Sequence, residues 1–119
     1  MAAPYAGRSI ALVGRQNSSA GFLVARDLQR TGAATLVGEP TGGHLRGLNS
    51  GQLAWLTLPA SGVGVDIPLL ASYTHGDPPD RGVLPDVAAA PHWADAVVGV
   101  DTGMVAAFMQ IAQWRAPTN

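Results

Sequence analysis

The residues Asn17-Ser18-Ser19-Ala20-Gly21 place two hydroxyls where a short apolar run gives way to a helical stripe. A serine at a helix N-terminus faces the unpaired amides of the first turn. The macrodipole there favours negative charge developing on a bound carbonyl. Ser19 in that position suits a nucleophile for acyl transfer, with the Ala20 amide as oxyanion donor. It equally suits a plain serine cap, the commoner use of the residue. His44 is the nearest histidine in sequence and stands in a glycine-rich stretch. An imidazole can take a hydroxyl proton at neutral pH, so His44 is a candidate base, with an ordinary polar loop histidine as the alternative. Asp86, behind Pro85, suits a turn or strand end better than the third place in a triad.

Other chemistry is set aside on residue types. His75 and His92 lie in separate loops, and with no cysteine and no helical histidine spacing no metal site is expected. Gly38 to Gly43 lacks the Gly-Lys-Ser ending of a phosphate loop, so no nucleotide cofactor is expected either. Asn17-Ser18-Ser19 matches a glycosylation sequon, but its place beside a buried strand argues for a chance match.

The elements that must position these residues follow from the apolar pattern. Ser9 to Val13 predicts a buried strand, closed by Gly14. Asn17 or Ser18 is expected to cap a helix running to about Arg30, with Phe22, Leu23, Ala25, Arg26 and Leu28 inward and Gly32 as its stop. Thr35 to Val37 predicts a second strand, and so short a crossover favours a parallel, right-handed unit. The fold class is therefore α/β.

Gly38 to Gly51 predicts an ordered, turn-rich loop. Leu53 to Leu58 and Val63 to Ile67 predict a hairpin around Pro59-Ala60-Ser61-Gly62, ended by Pro68. Thr74 to Arg81 predicts a polar surface loop, followed by a short apolar stretch from Gly82 to Val87. Asp101 or Thr102 is expected to cap a final helix ending near Arg115, before Pro117. Met104, Val105, Phe108, Ile111 and Ala112 would be its sheet-facing side.

With 119 residues, 47% of them hydrophobic, the chain suffices for one domain over residues 1–119. Formal charge is −1 and the seven basic residues are scattered, so neither a nucleic-acid backbone nor an anionic membrane surface is an expected partner. Met1 to Arg8 has no apolar core flanked by positive charge, and the chain as given reads as soluble and unexported. Localisation stays open, since a chain without cysteine suits either redox compartment.

The run Ile10 to Val13 into Ser18-Ser19-Ala20-Gly21, then Thr31 to Gly43 with its Val37-Gly38-Glu39-Pro40-Thr41-Gly42-Gly43 ending, resembles the nucleophile region of tail-specific, or C-terminal processing, serine peptidases. Leu58 to Gly62 with Ile67-Pro68, then Arg81 to Val87, then Asp95 and Gly99-Val100-Asp101, are similar to that family's later blocks, in the same order. Four blocks in order make a specific resemblance. The Thr-Gly-Gly ending points to the branch that includes the retinoid-binding-protein-like repeats.

The resemblance implies a ClpP/crotonase-like β-α-β core with a short sheet and a C-terminal helix. It also implies a peptide or protein substrate, no cofactor, and Ser19 as nucleophile, with Ser18 as the fallback. The best-studied branch carries a lysine base where His44 stands, and this chain has no lysine. Members with Thr-Gly-Gly commonly lack it and resemble enzymes that draw a histidine from earlier in the chain. The family's glutamate three residues after the nucleophile is here Phe22. Its upstream glycine amide, substrate-binding module and early strands have no counterpart in the given sequence. The chain thus looks like the C-terminal part of a catalytic domain, incomplete relative to the family. It is expected to be weak or inactive alone, with a homo-oligomer or a missing upstream half as the candidate partners. A non-catalytic peptide-binding or assembly remnant is the rival. An acyl-transferring or ligand-binding relative is a third class, because fold does not fix function.

Overall fold

The computed structural model describes residues 5–49 and 51–115. Its elements are β1 (Ile10–Val13), α1 (Ser19–Thr31), β2 (Thr35–Gly38), β3 (Gly47–Asn49), β4 (Leu53–Thr57), β5 (Gly64–Pro68), β6 (Ala71–Tyr73), β7 (Val87–Ala88), α2 (Trp93–Val97) and α3 (Thr102–Arg115). The chain is a mixed α/β protein with small sheets and a C-terminal helix. β1, β2 and β7 form a parallel sheet in the order β1-β2-β7, with Ile10 opposite Thr35 and Val37 opposite Val87.

The central strand explains its own sequence. Leu36 and Val37 are both fully buried, and because successive side chains alternate they feed opposite faces of the sheet. Leu36 packs with Phe22 and Ala25 of α1 and with Val83, while Val37 packs with Ala89 and with Ala107 of α3. A strand covered on both sides has no polar face, which is why Thr35 to Val37 carries no alternation.

α1 begins at Ser19, directly after the β1 turn, as the sequence indicates. It ends on Gly32, whose φ of 67° is the left-handed conformation a helix stop requires. Its inward stripe is narrower than expected. Phe22 and Ala25 are buried and Leu28 half-buried, but Leu23 is exposed, lying one step round the cylinder from the packed face.

α3 turns a different side to the sheet from the one its spacing suggested. Ala107 is buried and Gly103, Ala106, Gln110 and Trp114 are half-buried. Met104, Val105, Phe108 and Ala112 face outward, and only Ile111 of the expected set is partly covered. The helix is apolar nearly all round, so periodicity does not choose its face. Small residues do, because they let the helix approach β1 and β2 closely. Asp101 caps it, its Oδ1 accepting from the Met104 amide at 3.0 Å.

The expected hairpin is present, with β4 and β5 antiparallel and Leu53 opposite Pro68 at its base. The segment expected to be an ordered, turn-rich loop contains a strand, β3, which pairs with β6 rather than with a sequence neighbour. α2 was not legible either. His92 caps it by accepting from the Ala94 amide at 3.3 Å. Ser50 and Pro117 lie outside the described residues.

Gly38 closes β2 with φ 134°, and a Cβ there would stand 2.0 Å from the Val13 carbonyl oxygen. Gly38→Ala is therefore expected to destabilise the fold by about 2 kcal/mol or more, through strain and overpacking of β1 against β2. Gly64→Ala, where a Cβ meets nothing, is expected to melt within a degree or two of the parent. Thermal unfolding of the two variants measures the difference.

Candidate active site

The turn from β1 into α1 is tied by Asn17. Its amide donates to the Gly14 carbonyl at 2.9 Å, and its Oδ1 accepts from the Gly14 amide at 2.8 Å. Asn17 therefore closes the turn and does not cap the helix. Ser18 occupies the N-cap position with extended backbone, yet its hydroxyl makes no capping bond. The expected serine cap is thus present in backbone position only, and both hydroxyls are left for other partners.

Ser19 is the first residue of α1 and has φ 48°, the only non-glycine residue with positive φ among the described residues. Such backbone costs about 1–2 kcal/mol for a residue with a Cβ. Strain of this kind persists where the surroundings impose it, and it gathers at functional sites. The first helical bond runs from the Phe22 amide to the Ser18 carbonyl, at 3.3 Å. The amides of Ser19, Ala20 and Gly21 thus stand ahead of the helical ladder, at its positive end.

Opposite this helix start lies the Thr41 to Leu45 segment, held from two sides. On one side the Gly42 amide donates to the Asn17 carbonyl at 3.1 Å. A Cβ on Gly42 would stand 2.1 Å from the Arg15 oxygen, and one on Gly43 would stand 2.3 Å from Phe22 Cγ. On the other side Thr41 is buried. Its amide donates to the Val83 carbonyl at 3.0 Å and its Oγ1 accepts from the Val83 amide at 2.8 Å. The Leu45 amide donates to the Arg81 carbonyl at 2.9 Å. Phe22, in the place where the resembling family has a glutamate, is a core side chain that carries this loop.

This double anchoring brings His44 next to Asp80. His44 Nδ1 and Asp80 Oδ1 are 2.7 Å apart. A carboxylate only accepts, so in the neutral imidazole the proton belongs on Nδ1, and Nε2 is the nitrogen that carries the lone pair. Arg46 lies 3.7 Å from the other oxygen of Asp80, and its Nε donates to the Pro78 carbonyl at 3.3 Å. Ser18, Ser19, Gly42, Gly43, His44 and Asp80 all line one open cavity of about 530 Å³, with Arg46, β3 and Tyr73 completing its wall. Among the described residues the Ser19 hydroxyl carries no side-chain hydrogen bond.

Ser19, Ala20 and His44, singled out in the sequence, are thus brought to the same corner of the fold. Asp80 was missed. Its only signal was a place just before the Arg81-Gly82-Val83 block, inside a run that resembles any charged surface loop. Asp86, considered and set aside as a triad member, is structural: its Oδ2 accepts from the Leu36 amide at 2.8 Å and its Oδ1 from Gln29 Nε2 at 2.7 Å. The Asn17 amide group of the sequon is engaged in the turn described above.

An α/β core that presents a serine on a strained strand-to-helix turn, lining one cavity with a carboxylate-paired imidazole, has the layout of a serine hydrolase domain. The family model of peptidase family S41 matches residues 2–89, most of the chain. The chain therefore belongs to peptidase family S41, the C-terminal processing peptidases, and is a serine peptidase domain. No curated protein matches it.

The strain at Ser19 is measurable. Ser19→Gly is expected to be more stable than Ser19→Ala by about 1 kcal/mol, because glycine adopts positive φ without a Cβ clash. Ser18→Ala, which removes no capping bond, is expected to change stability by less than about 0.5 kcal/mol. Chemical denaturation of the three variants tests both.

Proposed function

We propose that this domain hydrolyses peptide bonds through an acyl-enzyme on Ser19, with His44 as general base and Asp80 as the residue that orients it. One observation carries the reading: the Nδ1 to Asp80 bond fixes the His44 tautomer that leaves Nε2 basic, in the same cavity as the strained serine. Ser19 Oγ attacks the carbonyl carbon while its proton passes to His44 Nε2. The negative charge formed on the carbonyl oxygen meets the Ala20 amide at the helix start. The proton then moves to the leaving amine, and water, deprotonated by the same imidazole, releases the acyl group.

The β1-α1-β2 unit, parallel and with the serine at its crossover, supports the finer reading of a ClpP/crotonase-type core. An extended peptide is the substrate class that suits an open cavity walled by the backbone of β3. No metal or cofactor enters this scheme. Turnover by the chain alone is expected to be weak. Ala20 is one oxyanion donor where such chemistry ordinarily uses two, and loss of a donor removes about 10² to 10³ in rate.

A fluorophosphonate probe tests the reading, because it needs an activated serine but not the full peptidase cycle. Labelling is expected in the parent, absent in Ser19→Ala, and slowed by about 10² to 10⁴ in His44→Ala. Asp80→Asn is expected to label more slowly than the parent, and Asp86→Asn, away from the cavity, to label at the parent rate below its melting temperature. Labelling unaffected by His44→Ala would remove the base from the scheme. No labelling, with retained binding of an extended peptide, would leave the non-catalytic peptide-binding role.

A further inference from the structure

His44 opens a tight turn that the Gly47 amide closes by donating to the His44 carbonyl at 3.2 Å. Leu45 and Arg46 are its two middle residues. The Leu45 side chain packs against the core cluster of Phe22, Ala25, Leu36 and Val83. Its amide donates to the carbonyl of Arg81, the neighbour of Asp80 in the chain. The Arg46 carbonyl accepts from the Thr74 amide at 2.9 Å. The turn is thus hung from two strands of chain, and its two polar side chains, His44 and Arg46, reach the same carboxylate.

The two oxygens of Asp80 have different partners. Oδ1 is 2.7 Å from His44 Nδ1, and Oδ2 is 3.7 Å from Arg46 Nη1. The longer separation is that of an ion pair, beyond hydrogen-bond range, so Arg46 does not compete for the oxygen that His44 uses. Arg46 Nε donates to the Pro78 carbonyl at 3.3 Å, which fixes the planar guanidinium to the backbone two residues ahead of Asp80. Asp77, 4.0 Å from Arg46 and 98% exposed, adds little. A carboxylate held at one oxygen keeps a broad range of rotation about its last bond. Held at both, its plane is set, and with it the direction from which the imidazole proton is accepted.

We propose that Arg46 is a positioning residue of this site. It acts through Asp80, setting the plane of the carboxylate that orients His44, and it touches no reacting atom. The role rests on the reading of His44 as general base. An arginine that captured a substrate carboxylate would present both arms of its fork to the cavity. Here the contacts of the guanidinium go to Asp77, Pro78 and Asp80, all on one loop.

The ring nitrogens of His44 give a readout that needs no turnover. Nitrogen-15 spectra of histidine-labelled chain, taken where the imidazoles are neutral, report which nitrogen bears the proton, and His44→Ala identifies its signal among the three histidines. The parent is expected to show mainly the Nδ1-protonated form. Arg46→Ala and Asp80→Asn are both expected to move the signal toward the Nε2-protonated form, and Arg46→Lys to move it less than Arg46→Ala. Arg46 is more than half exposed, so these substitutions are expected to leave the fold intact. In fluorophosphonate labelling Arg46→Ala is expected to be about 2- to 5-fold slower than the parent, the range an exposed ion pair spans. In an Asp80→Asn background the same change is expected to cost nothing further. A His44 signal indifferent to Arg46→Ala would overturn the proposal. So would equal slowing in both backgrounds, the mark of an arginine that supports the loop or meets the substrate independently of Asp80. A parent that does not label would remove the reading of Ser19, while the ring signal still decides the role of Arg46.

Discussion

The site depends on backbone coming closer to backbone than any side chain would allow. Gly42 lies against the Arg15 carbonyl, Gly43 against the Phe22 ring, and Gly82 against Thr41, where a Cβ would stand 2.0 Å from the carbonyl oxygen. Three contacts of this kind, with the buried Thr41 bonded to Val83, clamp one loop between the helix start and the chain leading into β7. Without them His44 has no fixed address. Close packing at these points transmits any added methyl to the loop, because the interior is too dense to absorb it.

The clamp also accounts for Phe22. A carboxylate three residues after Ser19 would have to be hydrated or paired. A phenyl ring there instead joins Leu36, Ala25 and Val83 in the core under α1. The same ring serves as the floor on which Gly43 rests. Positioning and core packing are thus one arrangement, and the imidazole is held from the loop side by Asp80 rather than by a neighbour of the serine. All three side chains of the His44, Asp80 and Arg46 group are more than half exposed, so their mutual attraction is screened and acts on orientation more than on stability.

Two small cores serve a chain that leaves much apolar surface uncovered. One lies under α1 and one under α3, and neither reaches the β4–β5 hairpin. The outward side of α3, with Phe108 and Met109 more than 60% exposed, shows the same imbalance. A helix apolar on all sides is suited to burial between two layers, and here it has one.

Local signals in the sequence determined the elements that depend on neighbours in the chain. The β1 to α1 turn, the Gly32 stop, the parallel β1–β2 pair and the hairpin turn all follow from short-range sterics and apolar period, and Ser19 with Ala20 could be placed at the helix start on that basis. Tertiary structure decided the rest, for reasons that can be named. β3 found β6 across an intervening hairpin, a pairing that no local pattern encodes. α3 chose its small-residue face because an all-round apolar helix has no preferred one. Asp80 met His44 only when the loop clamp brought the two together across 36 residues of sequence, since a carboxylate in a polar loop is chemically anonymous until its partner is in place.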